Sequence, residues 1–318
     1  MELRQLKYFI GIVNAGSLTR AAAHLHIAQP ALSAQIVNLE AELGVQLLVR
    51  SVRGVTCTAA GVTFYKHAQL ILRHCDQALL ATRTAGDDVS GTVSVGLPSS
   101  VLALVGVALL GQIRNGYPNV RLQLTDSPSA YLTELLLQGR LDMAVLIEAG
   151  SIRGLVCRSL LTESLLFVKK AESGEDVAPD VCLALVAAHK LVLPILPNAL
   201  RMQIDAAFAS LGLTPDIFAE INSMGILAQV AGSGIAATIN SWSAVARELD
   251  AGLLTVQRIV EPEITRTLAL CHPDMAPLSG ASQAVHDQLE MIIADLVERG
   301  SWRGARRAST PAQEHSTP

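Results

Sequence analysis

Residues Gly16 to Ile36 read GSLTRAAAHLHIAQPALSAQI, and this stretch decides how the N-terminal part of the chain folds. Apolar residues recur at Leu18, Ala21, Ala22 and Leu25, stop from His26 to Ala28, and resume with helical spacing at Leu32, Ile36, Leu39 and Leu43. That pattern predicts two helices joined by a tight turn. Ser17 or Thr19 can cap the first helix, and Pro30 sits in the opening turn of the second, where its missing N–H removes no helical bond. Uncapped amides at such a helix start suit a phosphate. An earlier stripe of Leu3, Leu6, Phe9, Ile10 and Val13 supplies a further helix and completes a three-helix core.

Working outward, VQLLVRSVRGVT from Val45 to Thr56 places strand-forming residues around a basic turn, Arg50 to Gly54, in the manner of a wing. From Thr58, a capping residue, to Ala85 the chain reads as one long helix. Phe64, Ala68, Ile71, Cys75 and Leu79 form a nearly heptad stripe on it that suits dimerisation, the alternative being packing on its own domain. GDDVSG, Gly86 to Gly91, reads as a linker. Beyond it, strands at Thr92–Leu97, Val120–Thr125 and Leu141–Ile147 alternate with helices near Val101–Asn115 and Ala130–Gln138, a βαβαβ unit. A second set has strands near Leu165–Val168, Leu191–Leu193, Ile217–Ile221 and Ile235–Ile239, with helices near Ala199–Leu211 and Ser223–Ala231. A strand at Thr265–His272 and a helix from Ser282 to Arg299 return the chain to the first unit. Two α/β lobes with a cleft between them are expected.

Composition narrows the class. The chain has 318 residues, half of them apolar, enough for a core in two or three domains. Its longest apolar run, Val101 to Gly111, is roughly half of what a bilayer crossing needs, and Glu2, Arg4, Gln5 and Lys7 interrupt any export signal. No membrane association and a cytoplasmic location are expected. Cys57, Cys75, Cys157, Cys182 and Cys271 show no metal-ligand spacing and read as reduced, mostly buried thiols. The histidines, His24, His26, His67, His74, His189, His272, His286 and His315, assemble no triad or metal set, so neither an enzyme nor a cofactor or metal is expected. The formal net charge is −4, yet residues 1–58 carry Arg4, Lys7, Arg20, Arg50 and Arg53 against Glu2, Glu40 and Glu42. The acidity therefore lies in the remainder, and the head is mildly basic.

The run AAxxLHIAQPALS, the LExELG step and the RGVTxTxAG entry to the long helix resemble the LysR-type transcriptional regulators, and the likeness runs from Met1 to about Arg299. Within that family IAQPALSAQI, RGVTCTAAG and KHAQLILRHCDQA are most similar to the nitrogen assimilation control regulators. The resemblance implies an α+β multidomain protein: a winged helix-turn-helix head (1–58), a linker and dimerisation helix (59–89), and a two-lobed α/β effector domain like a periplasmic binding protein (90–299). Lobe one is expected at about 90–161 and 266–299, lobe two at about 162–265, with a disordered tail at 300–318. It further implies a homodimer or homotetramer on an interrupted palindrome in double-stranded DNA, contact with RNA polymerase, and a small-molecule effector. Activation and repression are both open.

By motif position the resemblance puts Gln29, Pro30 and Ser33 in the major groove, where a glutamine can bond adenine at two points. The helical wheel adds Ala34 and Val37 on the outward side. This helix has no Lys or Arg before Glu40, so Arg4, Lys7 and Arg20 around the head and Arg50 and Arg53 at the wing must meet the phosphates, with Ser17 and Thr19 beside them. The plainer reading is a solvated helix face for Gln29 and Ser33, and an ion pair with Glu40 or Glu42 for Arg50.

For the cleft, Ser99 and Ser100 follow the first strand of lobe one, a place where hydroxyls and amides can hold an anion. Pro197, Asn198, Asn222 and Ser223 face them from lobe two, and Ser127, Ser129 and Ile147 lie on the same rim. Helix capping is the alternative for each Ser and Asn. Several members of the family that respond to aromatic acids or dicarboxylates carry an arginine near Leu146, and a proline is common in the family at the position of Asn240; this chain has neither. Gly232 and Gly234 read as a helix-to-strand turn. A solute-binding receptor without DNA specificity is the rival that the lobes alone would allow.

Overall fold

The computed structural model describes residues 1–51, 54–83, 89–172, 177–274 and 277–308. Helices α1 (Leu3–Ala15), α2 (Leu18–His24) and α3 (Gln29–Leu43) pack around Phe9, Ile12, Ala21, Leu32, Ile36 and Leu39. Leu3 and Leu43, expected inside, are exposed at the two ends of this core. Ser17, rather than Thr19, caps α2 by accepting from the Arg20 amide.

The wing is a hairpin of β1 (Leu48–Ser51) and β2 (Gly54–Cys57). The Val55 amide donates to the Gly16 carbonyl at 3.0 Å, which ties the wing to the end of α1. Gly54 is required there: its φ is +123°, and a Cβ would stand 2.5 Å from the Gly16 oxygen. Helix α4 (Ala59–Arg83) follows, capped as expected by Thr58, whose Oγ1 accepts from the Gly61 amide and donates to the Gln46 carbonyl.

The face of α4 expected to dimerise is largely used within the chain. Phe64 meets Phe9 edge-on at 5.2 Å, Ala68 is fully buried, and Ile71 and Cys75 are half-buried, leaving Leu79 as the exposed member of the stripe. Packing on its own domain therefore accounts for Phe64 and Ala68. The next turn of α4 also reaches the two-lobed domain. Leu70 fills the notch left by Gly139, where a Cβ would come within 2.2 Å of Leu70 Cδ2.

The two-lobed domain begins with the expected unit: β3 (Gly91–Leu97), α5 (Ser99–Gly116), β4 (Val120–Asp126), α6 (Ser129–Leu137) and β5 (Met143–Ile147), with β3 parallel to both neighbours. Strand β6 (Leu155–Lys170) is far longer than the expected Leu165–Val168. After it come β7 (Asp180–Cys182), α7 (Leu183–Val186), β8 (Lys190–Leu193), α8 (Ala199–Ser210), β9 (Asp216–Glu220), α9 (Met224–Ser233), β10 (Thr238–Ser241), α10 (Trp242–Asp250) and β11 (Leu254–Val260). Strand β12 (Thr265–Pro273), α11 (Gly280–Glu298) and β13 (Ala305–Arg307) close the domain.

The first half of β6 pairs with β12 and β13, and its second half with β10 and β11, so this strand serves both lobes. One core gathers Val93, Val95, Val105, Leu109, Val145 and Leu289; the other gathers Leu165, Phe167, Leu193, Ile204, Phe208 and Ile259. Helix α5 is just long and apolar enough, by length and composition alone, to cross a membrane, although its uninterrupted apolar run, 101–111, is shorter. Its Val101, Val105, Leu109 and Ile113 are nonetheless buried in the first core.

Two expectations are overturned. The tail was expected to be disordered from Gly300, yet β13 pairs with β6 and Trp302 is 1 % exposed in the first core. Burial of one indole outweighs the polar composition around it; residues 309–318 lie outside the described residues. The five cysteines were expected to be reduced, but Cys157 on β6 and Cys271 on β12 stand directly opposite one another and are joined as a disulfide. A sequence separation of 114 residues hid that pairing; Cys57, Cys75 and Cys182 are free.

Candidate DNA interface and inter-lobe cleft

Helix α3 buries Leu32, Ile36 and Leu39, which turns Gln29, Pro30, Ala34 and Val37 outward, all exposed. No side chain caps α3, whose N-cap is Ala28, so its first amides point outward with Gln29 and Pro30. Ser33 is half-buried, and its Oγ accepts a 2.9 Å hydrogen bond from Arg50 Nη1 on β1. The alternative ion pair of Arg50 does not form. Glu40 instead accepts from the Leu47 and Leu48 amides at 2.8 and 3.0 Å, and Glu42 meets the N-terminal ammonium.

Around this neutral face Lys7 and Arg20 are exposed, as is Arg4 beside Glu2. Thr19 is exposed on α2, whereas the Ser17 hydroxyl is engaged as a cap. Arg53 lies outside the described residues. Burial pushes the Cys57 thiol, at the end of the wing, above its ordinary range.

In the cleft, the groups nominated from the sequence are mostly engaged by the protein itself. Ser99 Oγ donates to the Asp126 carboxylate at 2.7 Å, which puts negative charge where an anion was expected. Ser127 Oγ donates to the Asp126 carbonyl, and Ser129 Oγ accepts from the Ile147 amide. Asn198 caps α8 through the Leu200 and Arg201 amides, and Asn222 Oδ1 accepts from the Ile195 amide. The capping alternative holds for Asn198 alone; Ser99, Ser127, Ser129 and Asn222 bond within the protein without capping a helix. Pro197 and Ser223 are exposed, and Ser223 is the N-cap of α9 without a side-chain bond. Asn240 is fully buried, with Oδ1 on the Ser241 amide and Nδ2 without a partner.

Ser100 leads to a cluster that sequence reasoning missed. It is buried, and its Oγ accepts from Arg266 Nη2 at 3.1 Å. The same guanidinium donates to Ser241 Oγ at 2.7 Å, Ser243 Oγ at 3.2 Å and, through Nε, Glu163 Oε1 at 2.8 Å. Trp302 Nε1 donates to the other Glu163 oxygen at 2.8 Å. The available signal was a lone charge in each of two apolar strands, SLLTESLLFV and TRTLALC, of opposite sign. Among the described residues no three His, Cys, Asp or Glu side chains form a group able to hold a metal ion.

A winged helix-turn-helix joined through a long helix to a two-lobed binding domain defines a DNA-binding regulator with a built-in sensor fold. The chain belongs to the LysR family of bacterial transcriptional regulators. Residues 3–62 match the bacterial regulatory helix-turn-helix protein of the lysR family, and residues 86–291 match the LysR substrate binding domain. It is 38% identical over 306 residues to the nitrogen assimilation regulatory protein nac of Escherichia coli K12, spanning 95% of this chain and 99% of that one. The Klebsiella aerogenes protein of the same name is 40% identical over 302 residues, 95% of this chain and 97% of that one. In fold it is similar to full-length OxyR from Pseudomonas aeruginosa, with a TM-score of 0.71, 21% identity and coverage of 92% and 94% of the two chains. It is similar also to full-length CbnR in complex with its target DNA, with a TM-score of 0.64, 23% identity and coverage of 93% and 99%. The protein is a LysR-type transcriptional regulator.

Proposed function

We propose that the chain acts in the cytoplasm as a homodimer or homotetramer that binds an interrupted, two-fold-related promoter site and adjusts transcription of nitrogen-metabolism genes by RNA polymerase. The observation that carries the DNA reading is the uncharged outer face of α3, with Gln29 and Ser33 at its start, bordered by exposed Arg4, Lys7, Arg20 and Arg50. Neutral side chains read base edges, and the cations around them set the register on the phosphates. The nitrogen role rests on the two nac relatives. No catalytic role is assigned.

Selection of bound duplexes from a random pool, then titration of the winner against scrambled DNA over a salt series, tests this reading. An enriched two-fold-related site that outcompetes scrambled DNA supports it; equal affinity for both overturns it. Transcript profiling under nitrogen limitation tests the gene class separately.

The cleft supports a small-molecule effector by its fold. Because Ser99, Ser127, Ser129, Asn198 and Asn222 are already engaged, a second reading has the regulator working without one. Calorimetric titration with nitrogen metabolites separates the two.

A further inference from the structure

The buried Glu163–Arg266 pair sits where the chain crosses between lobes. Glu163 lies at the point where β6 stops pairing with β12 and begins pairing with β10, and Arg266 opposes it near the start of β12. Both side chains are within 2 % of full burial. The donors of Arg266 go in two directions: to Ser100 at the start of α5, in the first lobe, and to Ser241 and Ser243 where the second-lobe strand β10 passes into α10, a helix whose Trp242 and Ala246 reach the first core. Trp302, carried by the segment after α11, holds the carboxylate from a third side.

Apolar side chains would fill this space at least as stably, because a buried ion pair contributes little net stability. What it adds is direction. Hydrogen bonds from N–H to oxygen keep to about 2.7–3.2 Å and weaken steeply when bent below about 120°, so one rigid guanidinium satisfies serines of both lobes over only a narrow range of lobe angle. We propose that Glu163 and Arg266 form a latch that fixes the angle between the lobes, with Ser100 and Ser243 as its anchors and Trp302 as its strap. Ser100 is then an anchor of the hinge and not a ligand of the effector. The strap lies beyond residue 291, where the match to the family domain ends.

The test is amide hydrogen exchange on the full-length protein and its Ser100→Ala and Ser243→Ala variants. If the serines share one latch, losing either loosens both lobes, because coupling between two sites is reciprocal. Ser100→Ala is expected to speed exchange at the start of α10, and Ser243→Ala at the start of α5, each by roughly tenfold, the worth of a hydrogen bond to a charged group. Acceleration confined to the lobe that carries the substitution overturns the proposal. Should a serine variant fail to fold, Trp302→Phe removes the indole bond and keeps a smaller aromatic ring in the core. It is expected to speed exchange at both helix starts, and no change at either overturns the proposal equally.

Discussion

Arg50 Nη1, on the first strand of the wing, donates to Ser33 Oγ, on the recognition helix, over 2.9 Å. The wing and the helix are thereby set against one another before DNA arrives. Removing either partner disturbs the other, so the two residues cannot be assigned independent roles in phosphate and base contact. Affinity measured for Ser33→Ala, Arg50→Ala and the double variant is expected to be non-additive, with a coupling of about 0.5–3 kcal/mol, the range for residues in contact. Strict additivity would count against the contact.

Gln29 is exposed at the start of α3, and among the described residues no side-chain hydrogen bond ties it to the wing. Its replacement by alanine is expected to reduce discrimination at one base pair of the selected site by about 1–3 kcal/mol while leaving affinity for scrambled duplex nearly unchanged. Competition titrations on single-base variants of the site measure this.

Gly61 brings α4 against Leu47, the residue before β1, and a Cβ there would stand 1.9 Å from the Leu47 carbonyl oxygen, a backbone atom that cannot swing away. Gly61→Ala is expected to destabilise the head by about 1–3 kcal/mol, as overpacking does. Gly111→Ala, on α5 with nothing within 4 Å, is the control and is expected to stabilise by about 0.5–1 kcal/mol. Denaturant unfolding of the two variants tests the contrast.

Asp180 on β7 receives two hydrogen bonds of 2.9 Å from Arg258 on β11, and these hold its carboxyl below the ordinary value of 3.8. A folded value below the unfolded one means that the contribution is complete above the ordinary value and is lost as pH falls through the folded one. Protection of the β7 and β11 amides, taken relative to the intrinsic exchange rate at each pH, is expected to fall below about pH 4 in the parent protein, and to lose that pH dependence in Asp180→Asn.

The disulfide gives a countable outcome. Denatured without reductant, the purified protein is expected to show three titratable thiols, Cys57, Cys75 and Cys182. Reduction should raise the number to five. Five thiols before reduction would show that Cys157 and Cys271 meet without bonding.

Local signals explain what was legible. Ser17, Pro30 and Thr58 act on backbone groups within three residues of themselves, so their positions named the starts of α2, α3 and α4 directly. The parallel unit from β3 to β5 was readable for the same reason, since each strand is a short apolar run between helices of matching period. Strand β6 was seen only in its last part because Glu163 and Ser164 interrupt the apolar pattern, and Glu163 is compensated by Arg266, distant in sequence. Cys157 opposite Cys271, Phe64 against Phe9 and Trp302 over Glu163 belong to the same class. Each depends on which strands or helices meet, and one chain read along its length does not contain that information. The cleft was readable as a place but not as chemistry, because whether Ser99 faces a ligand or Asp126 is settled by a neighbour and not by the serine.

Strand β6 runs for 16 residues, a span of about 50 Å, and contributes edges to both lobes without a break. The two lobes are thus not modules that could be exchanged between regulators by cutting at a loop. A recombinant lobe ending anywhere within β6 would leave unpaired amides and carbonyls along its partner strands, an open template for association with other chains. Heritable change in this domain is expected to come by substitution around the shared strand, with both halves of the domain passed on together.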